Sequence, residues 1–132
     1  MKGDFNINSV NLVNLVKEYF PSVKLVYLFG SYASNQTHAA SDIDLAILSD
    51  KKLLPVARWE IQQLMAEKLG VDVDLVDLLT ASTVMQKEII SNGVCLHNSN
   101  NELELFEVQV MSMYQHLNEE RADLLAEFMG KQ

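Results

Sequence analysis

Residues 30–44 read GSYASNQTHAASDID. An apolar run ends in Gly-Ser, ten residues intervene, and Asp-x-Asp opens a second apolar run. On one side of this stretch, residues 24–29 (KLVYLF) are β-branched and aromatic, which suits a buried strand entering a tight turn at Gly30. On the other side, residues 42–48 (DIDLAIL) read as a second strand. Side chains alternate across a strand, so Asp42 and Asp44 share one face while Ile43, Leu45 and Ile47 share the other. Two carboxylates therefore converge on one spot. Without a cation they repel and one takes up a proton, whereas a divalent metal keeps both ionised and gains two hard oxygen ligands. Magnesium is the natural occupant. It is seldom caged by protein alone and keeps waters or substrate phosphates, so the pair points to a nucleotide-like ligand. Gly30 lets the backbone approach phosphate closely, and Ser31 offers its amide and hydroxyl.

Residues 71–79 (VDVDLVDLL) read as a third strand and supply a further acid. Asp72 and Asp74 share a face, and Asp77 lies on the opposite one with Val71, Val73 and Leu75. A third carboxylate beside the pair would bind a second metal and accept the proton of an attacking hydroxyl. We assign that role to Asp74, with Asp72 as the reserve. By average residue usage, Gly-Ser at this fixed distance from Asp-x-Asp arises by chance in on the order of one in several hundred chains of this size. The alternative is a plain Gly-Ser turn followed by solvated acids at a strand start.

Helices are read around these strands. Apolar residues from Val10 to Phe20 fall at helical spacing, capped by Asn8 or Ser9 and stopped by Pro21. Pro55 opens a helix that Gly70 ends, and a short helix follows over residues 82–91. Residues 94–97 suit a short strand, and residues 98–101 a turn and cap. From residue 102 to residue 129, Leu103, Phe106, Val110, Met113, Leu117 and Leu124 recur at three- and four-residue steps or their sums, with no Gly or Pro. The expectation is α/β: a short mixed sheet bearing the acids on one face, helices packed on the other, and a long C-terminal helix over residues 102–132. With 132 residues, no linker and no repeat, residues 1–132 are taken as a single domain.

Composition narrows the partners. Ten basic against eighteen acidic side chains give a formal charge of −8, unsuited to tracking nucleic-acid phosphates directly. Cys95 is the one cysteine, so no intrachain disulfide forms, and it reads as a small buried residue. No apolar run approaches the roughly 18 residues of a membrane span, and the first residues lack the apolar segment of a signal peptide, so no membrane association and a cytoplasmic location are expected. Trp59 is read as packing on the sheet, and His38 as a solvated loop residue near the nucleotide. Met111, Met113 and Met129 suit either core filling or an adaptable partner surface.

The residues resemble a known family. GS-x10-DID-L with a later strand acid is similar to the polymerase-β-like nucleotidyltransferases. More narrowly, LVYLFGSYA, SDIDLAIL, ARWE, DVDLVDL and SMYQHL resemble the minimal nucleotidyltransferase (MNT) antitoxins of MNT–HEPN toxin–antitoxin modules, over nearly the whole chain. The resemblance implies transfer of AMP from ATP onto a tyrosine of a HEPN ribonuclease toxin, which silences it. It implies that Gly30 and Ser31 hold the triphosphate, that Asp42 and Asp44 hold magnesium, and that Asp74 completes the triad around two ions. Ser34 and Asn35 stand where many relatives have a basic residue and a glycine. Two rivals remain at this point: an antitoxin that neutralises by binding alone, and transfer to a small hydroxylated molecule.

Overall fold

In the computed structural model, the described residues are 9–30 and 42–130. Helix α1 spans Ser9–Tyr19, strand β1 Leu25–Phe29, β2 Ile43–Leu48, helix α2 Pro55–Leu69, β3 Val73–Asp77, α3 Thr83–Asn92, β4 Val94–Asn98 and α4 Glu102–Met129. The four strands form one sheet in the order β3-β2-β1-β4. β1 pairs antiparallel with β2 and β4, and β2 pairs parallel with β3. A parallel pair needs a crossover, and α2 provides it.

The alternation read from DIDLAIL is present. Ile43, Leu45 and Ile47 point into one core with Val26, Leu28, Val73 and Leu75, closed by Leu12, Leu15 and Val16 of α1 and Met65 of α2. The sequence led to helices on this face alone, and the structure adds a second layer on the other. Leu25, Tyr27, Ala46, Leu48 and Leu78 bury there against Ile89 of α3 and Phe106 and Val110 of α4. The physical reason lies in β1 and the end of β2, which are apolar at nearly every position and so need cover on both sides. Asp44 shares this second face but sits at its uncovered end.

α2 begins with Pro55 at its first turn and ends at Gly70, whose φ of 72° is left-handed and whose N–H donates to the Ala66 carbonyl. The expectation that Trp59 packs on the sheet is corrected: its side chain is 55% exposed. Trp59 lies six residues before the buried Met65, about 120° around the helix, and so points away from the strands. The arc that does meet the sheet carries Arg58 and Gln62. Arg58 Nη1 donates to the Leu75 carbonyl (2.9 Å), and the Leu75 N–H donates to Gln62 Oε1 (2.8 Å), which occupies the outer edge of β3.

β3 is shorter than the apolar run that announced it. Asp77 is 3% exposed and accepts the N–H groups of Leu53 (2.9 Å) and Leu79 (3.0 Å) through its carboxylate, while its carbonyl accepts those of Thr80 and Ala81. These bonds turn the chain at residue 77. α4 starts at its expected residue and ends at Met129, short of the expected 132, residues 131 and 132 lying outside the described residues; Asn98 Oδ1 accepts the Leu103 N–H (3.0 Å) at its start. Its core contacts end early, with Phe106 and Val110 its buried residues.

Candidate active site

Three strand ends meet at one edge of the sheet. Phe29, the last residue of β1, pairs with Asp44, and Asp44 pairs in turn with Asp74 across the parallel ladder. Directly paired residues share a face, so the register places the Asp44 and Asp74 side chains together on the face opposite Ile43 and Leu75. Asp42 stands two residues nearer the strand entrance with the same parity. The Ile43 N–H donates to the Asp72 carbonyl (2.8 Å), which ties the two strand entrances. Asp72, the reserve, therefore lies further out than Asp74, and both are exposed.

Electrostatics link the three acids that the sequence singled out. Asp44 is half-buried, and its carboxyl is held above the ordinary carboxylate range, first by burial, then by the charge of Asp74, then by that of Asp42. Asp44 is thus the centre of the group, with one neighbour on each side. Asp77, by contrast, is spent on backbone N–H groups on the other face, as its parity implied.

Gly30 closes the site from the β1 side. Its φ of 74° is left-handed, and a Cβ built there collides with Asp44 Oδ2. Glycine is required on both counts: the turn needs a positive φ, and the Asp44 carboxylate occupies the space a side chain would take. Ser31, Ser34, Asn35 and His38 lie outside the described residues.

The donor set of Asp42, Asp44 and Asp74 is all carboxylate oxygen, the chemistry of a hard divalent cation. Among the described residues no three His, Cys, Asp or Glu side chains stand close enough to hold a metal ion by themselves. An open set fits magnesium, which takes one or two carboxylates and completes its shell with water and phosphate. No described helix is long and apolar enough to cross a membrane.

At the opposite end of the sheet lies a feature that no sequence motif announced. A groove of about 410 Å³ opens between α4, the start of α3 and the strand ends at Lys24, Leu48 and Leu78. Its wall residues come from separate segments brought together by folding, so spacing along the chain carries no trace of it. Between the groove and the Asp44 group sits Tyr27, whose buried hydroxyl has no hydrogen-bond partner among the described residues. Burial pushes its ionisation well up, helped by Cys95 and by the Glu107 carboxylate, which lies within electrostatic reach without a well-formed hydrogen bond.

Comparison with known proteins agrees with this arrangement. The family described as polymerase beta, nucleotidyltransferase matches residues 11–102. The protein adenylyltransferase MntA of Shewanella oneidensis is 42% identical over 124 residues, covering 94% of this chain and 89% of the relative. A chain in a crystal structure of a toxin–antitoxin with AMP-PNP superposes with a TM-score of 0.84 at 41% identity, covering 93% of this chain and 99% of the other. A chain from the structure of the tri-AMPylated Shewanella oneidensis HEPN toxin in complex with MNT antitoxin gives a TM-score of 0.76 at 40% identity, over 92% and 95% of the two chains. Shared sequence over most of both chains, with the strand register and the glycine-closed carboxylates in place, leads to one conclusion: the chain belongs to the polymerase β nucleotidyltransferase family.

Proposed function

We propose that this chain is a cytoplasmic protein adenylyltransferase that acts as an antitoxin, transferring AMP from ATP to a tyrosine of a cognate HEPN ribonuclease toxin and so neutralising it. The observation that carries the reading is the pairing of Asp44 with Asp74 beside Gly30. It gives an all-oxygen donor group next to a backbone turn with no side chain, in a chain 42% identical to a protein adenylyltransferase.

In this reading Asp42, Asp44 and Asp74 hold magnesium, two ions when the site is full, which would neutralise the triphosphate and align the reacting oxygens. Gly30 and Ser31 receive the triphosphate at the turn. The acceptor hydroxyl oxygen forms a bond to the α-phosphorus while the bond from that phosphorus to the α–β bridging oxygen breaks, and pyrophosphate leaves with that electron pair. Asp74 takes the hydroxyl proton. Its exposure suits the role, because an incoming side chain can reach it without displacing the core. Asp44 stays in the centre, where burial and two like charges give it the strongest reason to seek a cation. Presentation of the hydroxyl by a docked protein converts a bimolecular encounter into a positioned one, which supplies much of the rate.

ATP labelled in turn at the α- and γ-phosphates tests the reaction class. Incubated with magnesium and the purified HEPN protein, the α-label is expected to enter the HEPN protein and the γ-label to leave as pyrophosphate. Transfer of the γ-label to protein would contradict nucleotidyl transfer, and α-label found only on small hydroxylated compounds would assign a different acceptor.

A further inference from the structure

The core-facing stripe of α4 does not stop where the core stops. Phe106 and Val110 are buried against the sheet. At 100° per residue, Met113, Leu117, Leu124 and Phe128 fall within about 60° of the same direction along the helix. Beyond Val110 no residue of α4 is buried, and Phe128 is 85% exposed. A helix of 28 residues is about 42 Å long, so well over half of this apolar face runs past the sheet that its first turns cover.

The groove at the end of the sheet away from Asp44 joins this face. Leu105, Gln109 and Met113 of α4 form one wall, with Leu48, Leu78 and Leu79 opposite. Leu48 stands four residues along β2 from Asp44, about 13 Å away at strand rise. Helix geometry puts Glu120, Asp123 and Glu127 in a row along the flank of the stripe on the groove side. Over residues 111–129 the charges are four carboxylates, Glu119, Glu120, Asp123 and Glu127, against Arg121 alone. Asp50 and Glu102 continue this acidic edge into the groove, where Lys24 is paired with Glu102 at 4.0 Å.

An apolar row this long, bordered on its groove side by acidic residues alone, fits a partner rather than solvent. A second copy is a poor occupant, because it would bring the same acidic flank against itself in a chain of formal charge −8. A protein that handles RNA carries basic surface to hold phosphate. Resting on the function proposed above, we propose that the groove and the overhanging face of α4 form a docking surface, separate from the carboxylates, for a basic face of the HEPN protein that receives AMP. Binding and transfer are then divided between two ends of the sheet: α4 holds the partner while its acceptor segment reaches the Asp44 end.

Calorimetric titration of the purified HEPN protein without ATP tests the proposal, using the full chain and two sets of exposed substitutions. The double variant Leu124→Glu, Phe128→Glu breaks the apolar row, and the triple variant Glu120→Lys, Asp123→Lys, Glu127→Lys reverses the flank. Circular dichroism checks that both keep their helix. Each set is expected to weaken binding at least tenfold and to raise KM for the HEPN protein with kcat retained at saturation. Asp44→Asn should do the reverse, binding as the parent does while losing transfer. Parental affinity in both surface variants, with transfer intact, would overturn this inference and leave the proposed function standing. A parent chain that neither binds nor modifies the HEPN protein would overturn both. A homodimer that the double variant dissociates would assign the surface to a second copy.

Discussion

Replacing Gly30 by alanine separates two roles that the structure gives one residue. Gly30 and Gly70 have nearly the same left-handed backbone, with φ of 74° and 72°. A Cβ at Gly70 meets nothing within 4 Å, whereas one at Gly30 runs into Asp44 Oδ2. The backbone strain of an L-residue in this region is about 1–2 kcal/mol, and it applies to both positions. The collision adds little to stability, because Oδ2 is the free end of a side chain that can rotate away. It does move the carboxylate from its place beside Asp74, and a displacement of about 1 Å in a reacting constellation costs on the order of a hundredfold in rate. Gly30→Ala and Gly70→Ala should therefore lose a similar 1–2 kcal/mol or so in denaturant unfolding. Only Gly30→Ala should lose AMP transfer, by about two orders of magnitude. Parental transfer in Gly30→Ala would refute the close approach of Gly30 to Asp44, and an equal loss in Gly70→Ala would mean that strain, not the carboxylate, limits activity.

Other substitutions probe the same frame. Asp74→Asn should lower transfer by roughly 10²–10⁴-fold with little change in stability, while Asp77→Ala should lose about 1–3 kcal/mol in chemical unfolding because the part-buried N–H groups of Leu53 and Leu79 lose a charged acceptor. Equal effects of the two on transfer would contradict the face assignment. Asp44 has a folded-state pKa raised above its unfolded value, so in metal-free protein its contribution to stability is favourable once it is protonated at low pH. That contribution is lost as pH rises through the raised folded value, and repulsion from Asp74 and Asp42 then opposes folding. Urea midpoints of the parent relative to Asp44→Asn should thus fall with rising pH above the ordinary carboxylate range, and a flat difference would contradict the convergence of charge. Tyr27→Phe removes a buried hydroxyl that has no partner among the described residues, and thermal unfolding should find it neutral or slightly stabilising; a loss above about 1 kcal/mol would reveal a hydrogen bond to Glu107.

The parts legible in the sequence are those set by local period. DIDLAIL and VDVDLVDLL alternate at their starts, so the shared face of Asp42 and Asp44 and the opposite face of Asp77 followed from spacing alone, as did the start of α4. What escaped depends on direction and distance rather than period. Trp59 is apolar but points about 120° from Met65, and hydrophobicity without azimuth placed it on the sheet. The second helical layer escaped because Tyr27, Ala46 and Leu48 find their cover in α3 and α4, which lie far along the chain. Pairing of Asp44 with Asp74 rather than Asp72 rests on the β2–β3 register, which parity narrows to one face but does not fix. Lys24, Asp50, Gln86 and Gln109 meet at the groove from four separate segments, with no spacing to announce it.

Intact-mass spectrometry of the HEPN protein after incubation with this chain, ATP and magnesium tests the central claim most directly, with ribonuclease activity measured on the same samples. The expected result is a gain of one or more AMP units on tyrosine, loss of ribonuclease activity in step with the gain, and neither change when the enzyme carries Asp42→Asn and Asp44→Asn. A fully inhibited partner whose mass has not changed would contradict the account, because neutralisation would then come from binding alone.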